Sequence, residues 1–244
     1  MSATPDLPHR GDTRAPAAAG AREPARPGWI EVVVGVAVLM LLAFVGLPLI
    51  KQLGLDPVVY GLIVAAWSGV AAIAGFAAAR SVRVRTWTAF NVRATSWRWL
   101  ALGVCGGLLA FVVVRLATVL YTEVFGIPSN VQEVYTDTGT SGPAALVLSL
   151  LFLAVLTPLG EELLFRGVVT TVFLRYGRAV GVLGSAVVFA AAHGPNAAAI
   201  PALIVGVISA ELRRRSRSIW PGVVVHAVNN FVGIGLGILV AAAS

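Results

Sequence analysis

Apolar residues in this chain run together instead of recurring with the 3.6-residue rhythm of a half-buried surface helix. Val32 to Ile50 and Pro57 to Ala79 contain no charge, and each is long enough to cross a bilayer core, which takes about 20 apolar residues in helical form. The turn Lys51 to Asp56 joins them as a helical hairpin. Trp99 to Thr122 is a third run, interrupted by Arg115, and Pro143 to Gly160 is a fourth. Shorter pieces follow at Ala179 to Ala192 and Gly194 to Ala210, then a long final run from Ser218 to Ser244. The pattern predicts an all-α polytopic membrane protein with about seven transmembrane or membrane-embedded helices. They fall at 30–50, 57–79, 99–122, a return segment from 143, then 179–193, 196–211 and 218–241. The return segment, Pro143 to Tyr176, is too long for one straight span. Pro158, which cannot donate to the helix ladder, and Gly160 predict a break there, with a second piece starting near Glu161.

Composition agrees with the pattern. Of 244 residues 58% are hydrophobic and 12% charged, with mean hydropathy +0.88. That is about half the charge of a soluble domain, so soluble enzyme folds, disordered chains and disulfide scaffolds are excluded. Cys105 is the one cysteine, so neither an internal disulfide nor a thiolate zinc cluster can form. Residues 1–28, rich in Pro, Ala, Arg and Gly without periodicity, read as a disordered tail. Residues 29–142 supply the N-terminal helices and loops, and 143–244 the polar groups discussed below.

A net charge of +7 raises nucleic acid as a partner until the charges are placed. Fifteen of the eighteen basic residues lie in the tail, at Arg80 to Arg98, at Arg175 and Arg178, and at Arg213 to Arg217, all on one side of an alternating path. The opposite side has Lys51, and its longest loop carries Glu123, Glu133 and Asp137. The positive-inside rule makes the basic side cytoplasmic. The expected location is the bacterial cytoplasmic membrane with the N-terminus inside, bacterial because one lysine stands against seventeen arginines in an Ala-, Val- and Gly-rich chain. The bilayer is then the partner of these charges, and nucleic acid is not. The sequence does not fix an oligomeric state.

Ionisable groups at membrane depth are costly and point to function. They are Glu161, Glu162, Arg166, His193, Glu211 and His226, beside the amides Asn229 and Asn230; Arg115 is read as snorkelling or pairing with a neighbouring helix. Glu162 and Arg166 are four apart with the acid first, the favourable order for an ion pair on one helix face. Glu161 lies about 100° around the helix. Either it is free for chemistry, or it is a second acid competing for Arg166 near a helix start. His193 follows Phe189 by four residues, and His226 precedes Asn230 by four. Each of these polar groups needs a partner in an apolar setting, and the cheapest partners are one another.

The set contains the parts for peptide hydrolysis by activated water. Glu161 can act as general base, His193 can help hold the water, and His226 with Asn230 can donate to the developing oxyanion. A zinc version with Glu161, His193 and His226 as ligands is conceivable, although HExxH is absent. No Gly-x-Ser-x-Gly elbow is present, so a covalent serine mechanism is not expected.

Glu161-Glu162-Leu163-Leu164-Phe165-Arg166 resembles the EExxxR motif of the CPBP intramembrane proteases, the family of CAAX prenyl protease 2 and the bacteriocin-processing Abi proteins. Phe189 to His193 resembles its FxxxH motif and His226 to Asn230 its HxxxN motif. Arg215 to Trp220 is similar to the family's Arg-Thr-Gly-Ser-Leu-Trp segment, with Arg217 in place of the glycine. The resemblance covers roughly residues 143–240, the CPBP-like catalytic core. It implies a glutamate-type, metal-free protease without a cofactor. Glu161 and His193 activate water, His226 and Asn230 form the oxyanion site, and Glu162, Arg166 and Phe189 give structural support. The implied substrate is a membrane-associated protein or peptide, and the prenylated CAAX substrate is not carried over to a bacterial chain. Two other readings compete: a non-catalytic bacteriocin immunity or membrane scaffold protein and, less favoured, a transporter using the same buried charges.

Overall fold

The computed structural model describes residues 25–126 and 133–243. The tail reading for residues 1–24 and the loop stretch 127–132 lie outside the described residues. The chain folds into helices: α1 (Trp29–Lys51), α2 (Pro57–Val82), α3 (Trp97–Phe125), α4 (Glu133–Thr140), α5 (Pro143–Tyr176), α6 (Val180–Ala192), α7 (Ala199–Ser216) and α8 (Trp220–Ala243). Five of them, α1, α2, α3, α5 and α8, are long and apolar enough to cross a membrane. The shorter α6 and the charge-ended α7 complete the seven that the apolar pattern predicts. No strand occurs among the described residues.

Local chemistry sets the ends. Asp56 caps α2, its Oδ1 accepting from the amides of Val58 at 2.9 Å and Val59 at 3.2 Å, with Pro57 at the first helical position where no amide is needed. The Glu31 carboxylate reaches back to the Gly28 amide at 2.7 Å, satisfying a donor that α1 cannot. It also pairs with Arg83 at 2.7 Å, which keeps a fully buried acid neutralised. Gly177, at φ +102°, stops α5 in a conformation closed to most other residues.

α5 is the centre of the bundle. Leu164, Phe165, Val168 and Val172 are buried among Val32 and Leu39 of α1, Ala72 and Phe76 of α2, Phe90, Phe189 of α6 and Ile219. α3 packs along α8, α6 along α7, and α7 against both α3 and α8. Backbones approach closely where side chains are small: a Cβ on Gly69 would sit 2.8 Å from the Leu156 carbonyl, and one on Gly107 2.7 Å from that of Val225.

Three expectations are corrected, the last of them, on Glu211, at the basic end of the bundle. The helix from Pro143 to Tyr176 is not broken at Pro158; it runs continuously through two π-helical turns, Phe152–Leu156 and Leu163–Val169, which flank Glu161. In the first, the Thr157 amide bonds five residues back to the Phe152 carbonyl. The next bond in that register would come from Pro158, which has no N–H, so the Leu153 carbonyl needs another donor. Asn230 of α8 supplies it, Nδ2 to oxygen 2.9 Å. The helix survives its proline because a second helix fills the gap. The second correction concerns the loop after α3, which contains α4. There Thr138 and Gly139 are buried against Gly61 of α2 and Ile238 of α8.

The basic segments meet at one end of the bundle. Arg93 Nε donates to the Arg217 carbonyl at 2.6 Å, and the Ser218 hydroxyl to the Arg93 carbonyl at 2.7 Å. Arg175 bonds the Pro27 carbonyl, and Trp29 Nε1 donates to the Tyr176 hydroxyl at 2.8 Å. Glu211 belongs to this end and not to membrane depth, because Arg214, Arg215 and Arg178 all pair with it at 2.6–3.2 Å.

Candidate active site

Three helices bring the polar set together. The turn between the two π segments of α5 presents Glu161 and Glu162 on different sides. Glu162 is fully buried and its Oε2 lies 3.2 Å from Arg166 Nε, also fully buried, so the ion pair read from the i,i+4 spacing is present. Glu161 instead lines a cavity of about 580 Å3 between α1, α2, α3, α5, α6, α7 and α8, with Tyr135 of α4 also on its wall. His193, His226 and Asn230 line the same cavity.

His226 stands between the two carboxylates. Its Nε2 is 3.8 Å from Glu161 Oε2 and its Nδ1 3.6 Å from Glu162 Oε1. Both distances exceed direct hydrogen-bond range. Glu161 Oε2 and His226 Nδ1 are buried and have no hydrogen-bond partner among the described residues. His193, in the C-terminal turn of α6, is fixed differently: the Phe189 carbonyl lies 2.9 Å from Nδ1, which leaves Nε2 as the nitrogen free of the backbone. Asn230 has one donor committed to the Leu153 carbonyl, and its Oδ1 accepts from Asn229 Nδ2 at 3.1 Å. A second Asn230 N–H remains for a ligand.

Phe189 organises this cluster. Its ring is 4.7 Å from that of Phe165, edge-on to His193 at 4.9 Å and to His226 at 5.8 Å, and the Arg166 guanidinium lies 4.7 Å from its centroid. The pairing of Phe189 with His193 is legible in the four-residue spacing, whereas its contacts with Arg166 and His226 are not, since those residues come from other helices.

Three further residues of the site lie beyond the sequence reading. Gly222 lets α8 approach the buried ion pair, since a Cβ there would sit 2.5 Å from Glu162 Oε2. Ser68 and Thr157, whose hydroxyls are 2.7 Å apart, line the cavity near Glu161. No sequence spacing links them. Arg115 also lines the cavity and packs over Phe111, with 5.3 Å from guanidinium carbon to ring centroid.

The zinc alternative names Glu161, His193 and His226 as ligands, of which Glu161 and His226 stand 3.8 Å apart. Among the described residues, no three of His, Cys, Asp and Glu are gathered as a metal site. What the cavity does offer is a carboxylate, two imidazoles and an amide facing a common space, enough to polarise a water and to receive negative charge.

Residues 143–232 match the family model described as Type II CAAX prenyl endopeptidase Rce1-like, a stretch that includes all three motifs. This agrees with the resemblance to the CPBP proteases over that part of the chain. No curated protein and no solved structure matches the chain.

Proposed function

We propose that this Rce1-like domain is a glutamate-type intramembrane endopeptidase acting on a membrane-associated protein or peptide. The observation that carries the reading is the pairing of Glu161 with His226 at 3.8 Å on a cavity that His193 and Asn230 also line. Glu161 takes a proton from a water that His193 helps to hold. The water oxygen bonds to the scissile carbonyl carbon, and the C=O electron pair moves to the carbonyl oxygen. That oxyanion accepts hydrogen bonds from His226 Nε2–H and the free Asn230 N–H. Glu161 then delivers its proton to the amide nitrogen as the C–N bond breaks, leaving a carboxyl and an amine. Glu162 pairs with Arg166 and faces Nδ1 of His226 at 3.6 Å, which leaves Glu161 as the carboxylate free to exchange a proton.

The test is cleavage of a membrane-peptide library by wild-type protein, Glu161→Gln and Glu161→Ala in proteoliposomes. A positioned base contributes on the order of a hundredfold or more, so both variants are expected to lose at least that factor while retaining their melting behaviour. Wild-type rates in either variant would overturn the assignment. Phenanthroline is expected to leave the wild-type rate unchanged; a loss restored by zinc would return Glu161, His193 and His226 to the role of ligands.

A further inference from the structure

The basic end of the bundle contains a second cavity, about 590 Å3, which shares no residue with the first. Arg26, Arg175, Arg213, Thr86, Thr88 and Thr171 line it, and no acidic residue does. Arg213 is 5% exposed. Its Nε donates to the Arg166 carbonyl at 3.1 Å, and its Nη2 reaches the Thr171 hydroxyl. With the Asn91 amide oriented to satisfy its neighbours, Asn91 accepts from Arg213 Nη2 at 2.7 Å. These partners are all neutral. Among the described residues no carboxylate pairs with Arg213 or with Arg175, because Glu31 is committed to Arg83 and Glu211 to Arg178, Arg214 and Arg215. Arg93 adds a further repulsive positive charge near Arg213. A buried guanidinium surrounded by neutral acceptors and other cations lacks the counter-charge that such burial ordinarily requires.

The depth of this cavity suggests what would supply that charge. Thr86 and Thr88 flank Trp87, and Arg175 precedes Tyr176, to which Trp29 is hydrogen-bonded. Trp29 and Trp87 are each 48% exposed. Exposed, amphipathic aromatics at the end of a membrane bundle mark the headgroup level, so the cavity lies where lipid phosphates are found. Its hydroxyls and guanidiniums are the donors that a phosphate oxyanion accepts from.

We propose that this cavity binds the phosphate of an anionic lipid headgroup, with Arg213 and Arg175 as the charged donors and the threonine hydroxyls completing its shell. Arg213 also holds the carbonyl of Arg166, so the occupant sits one hydrogen-bonded step from the helix carrying Glu162. The site does not depend on the protease reading. Free phosphate shares the chemistry, and the test separates the two sources.

Full-length protein in non-ionic detergent is titrated with phosphatidylglycerol, phosphatidylcholine and inorganic phosphate, and retained ligand is read by native mass spectrometry. Wild type is expected to retain one phosphatidylglycerol at least about tenfold more tightly than phosphatidylcholine. Arg213→Gln and Arg175→Gln are each expected to weaken it by about tenfold, the worth of one charge-assisted contact. Displacement of the lipid by millimolar inorganic phosphate would support the anion site but overturn the lipid as its source. Equal retention of phosphatidylglycerol by wild type and Arg175→Gln would overturn the proposal. Arg175 is exposed, so that variant decides the matter even if Arg213→Gln fails to fold.

Discussion

Replacing Glu162 rather than Glu161 tests the division of labour between the two adjacent acids. Glu162 and Arg166 are both fully buried and 3.2 Å apart. Beyond Glu162, the Arg166 guanidinium has the Phe189 ring face at 4.7 Å, worth on the order of 2 kcal/mol in a desolvated setting and short of a full counter-charge. Removing one partner of a buried pair leaves an uncompensated charge and costs about 3–5 kcal/mol. For a chain of this size that corresponds to a melting shift on the order of 10 °C. Glu162→Ala is therefore expected to melt about that much lower in detergent, followed by intrinsic tryptophan fluorescence. Glu161→Ala, which removes an acid whose one ion-pair partner within 4 Å among the described residues is the His226 imidazole at 3.8 Å, is expected to melt within about 1 kcal/mol of wild type. The double variant Glu162→Leu/Arg166→Met removes both charges and is expected to regain most of the loss, since apolar replacement of a buried pair is often neutral or stabilising. The reasoning is refuted if Glu162→Ala melts like wild type, or if Glu161→Ala falls as far as Glu162→Ala.

Gly222→Ala would place a Cβ 2.5 Å from Glu162 Oε2 and 3.2 Å from the Ser209 Cβ; with both neighbours buried, a loss of about 1–3 kcal/mol is expected in the same melts, together with reduced cleavage because His226 sits one turn along the helix. Arg217 holds φ +55° at the end of α7, the left-handed conformation that glycine adopts freely. Arg217→Gly is accordingly expected to raise stability by about 1 kcal/mol, and a lowered melting temperature would contradict the strain. Glu211 lies beyond the spanning helices, where hydrogen bonds from Arg214 and Arg215 and the charge of Arg178 hold its carboxyl down to about 2, against an ordinary 4.5. Its contribution is therefore complete above about pH 4.5 and lost as pH falls toward about 2. The melting gap between wild type and Glu211→Gln is expected to narrow over that window, and a gap that widens on acidification would reverse the sign.

The spans were legible because the physical cause of a membrane helix is local: a run of apolar residues long enough to cross hydrocarbon needs no partner to announce itself. What was not legible depends on neighbours. α4 has a polar, turn-like sequence, and it is helical where Thr138 and Gly139 fit against Gly61 and Ile238. Pro158 predicts a break by its missing donor. The helix continues because Asn230, more than seventy residues later, takes the Leu153 carbonyl. Glu31 left a signal that could have been used, an acid three residues past Gly28 at a helix start. Its partner Arg83 follows another helix, and no spacing rule reaches that far.

At the site, the legible and illegible parts divide along the same line. In each of three helices a four-residue spacing puts two side chains on one face: Glu162 with Arg166, Phe189 with His193, His226 with Asn230. A helix sequence can say that much and no more, because the rotation of one helix against the next is set by packing. Phe189 provides that packing. It abuts Phe165, covers Arg166 and meets both imidazoles edge-on. One ring from α6 thus contacts the ion pair of α5 and the histidine of α8. It fixes their relative rotation without itself holding a proton or charge. This accounts for an aromatic in a chemically inert role beside four polar groups. Arg166 is held from one side by Glu162 and from another by the Phe189 ring, so Glu161 need not serve as its counter-ion. Its carboxylate can face the cavity because a neighbouring acid and a neighbouring ring have already settled the buried cation.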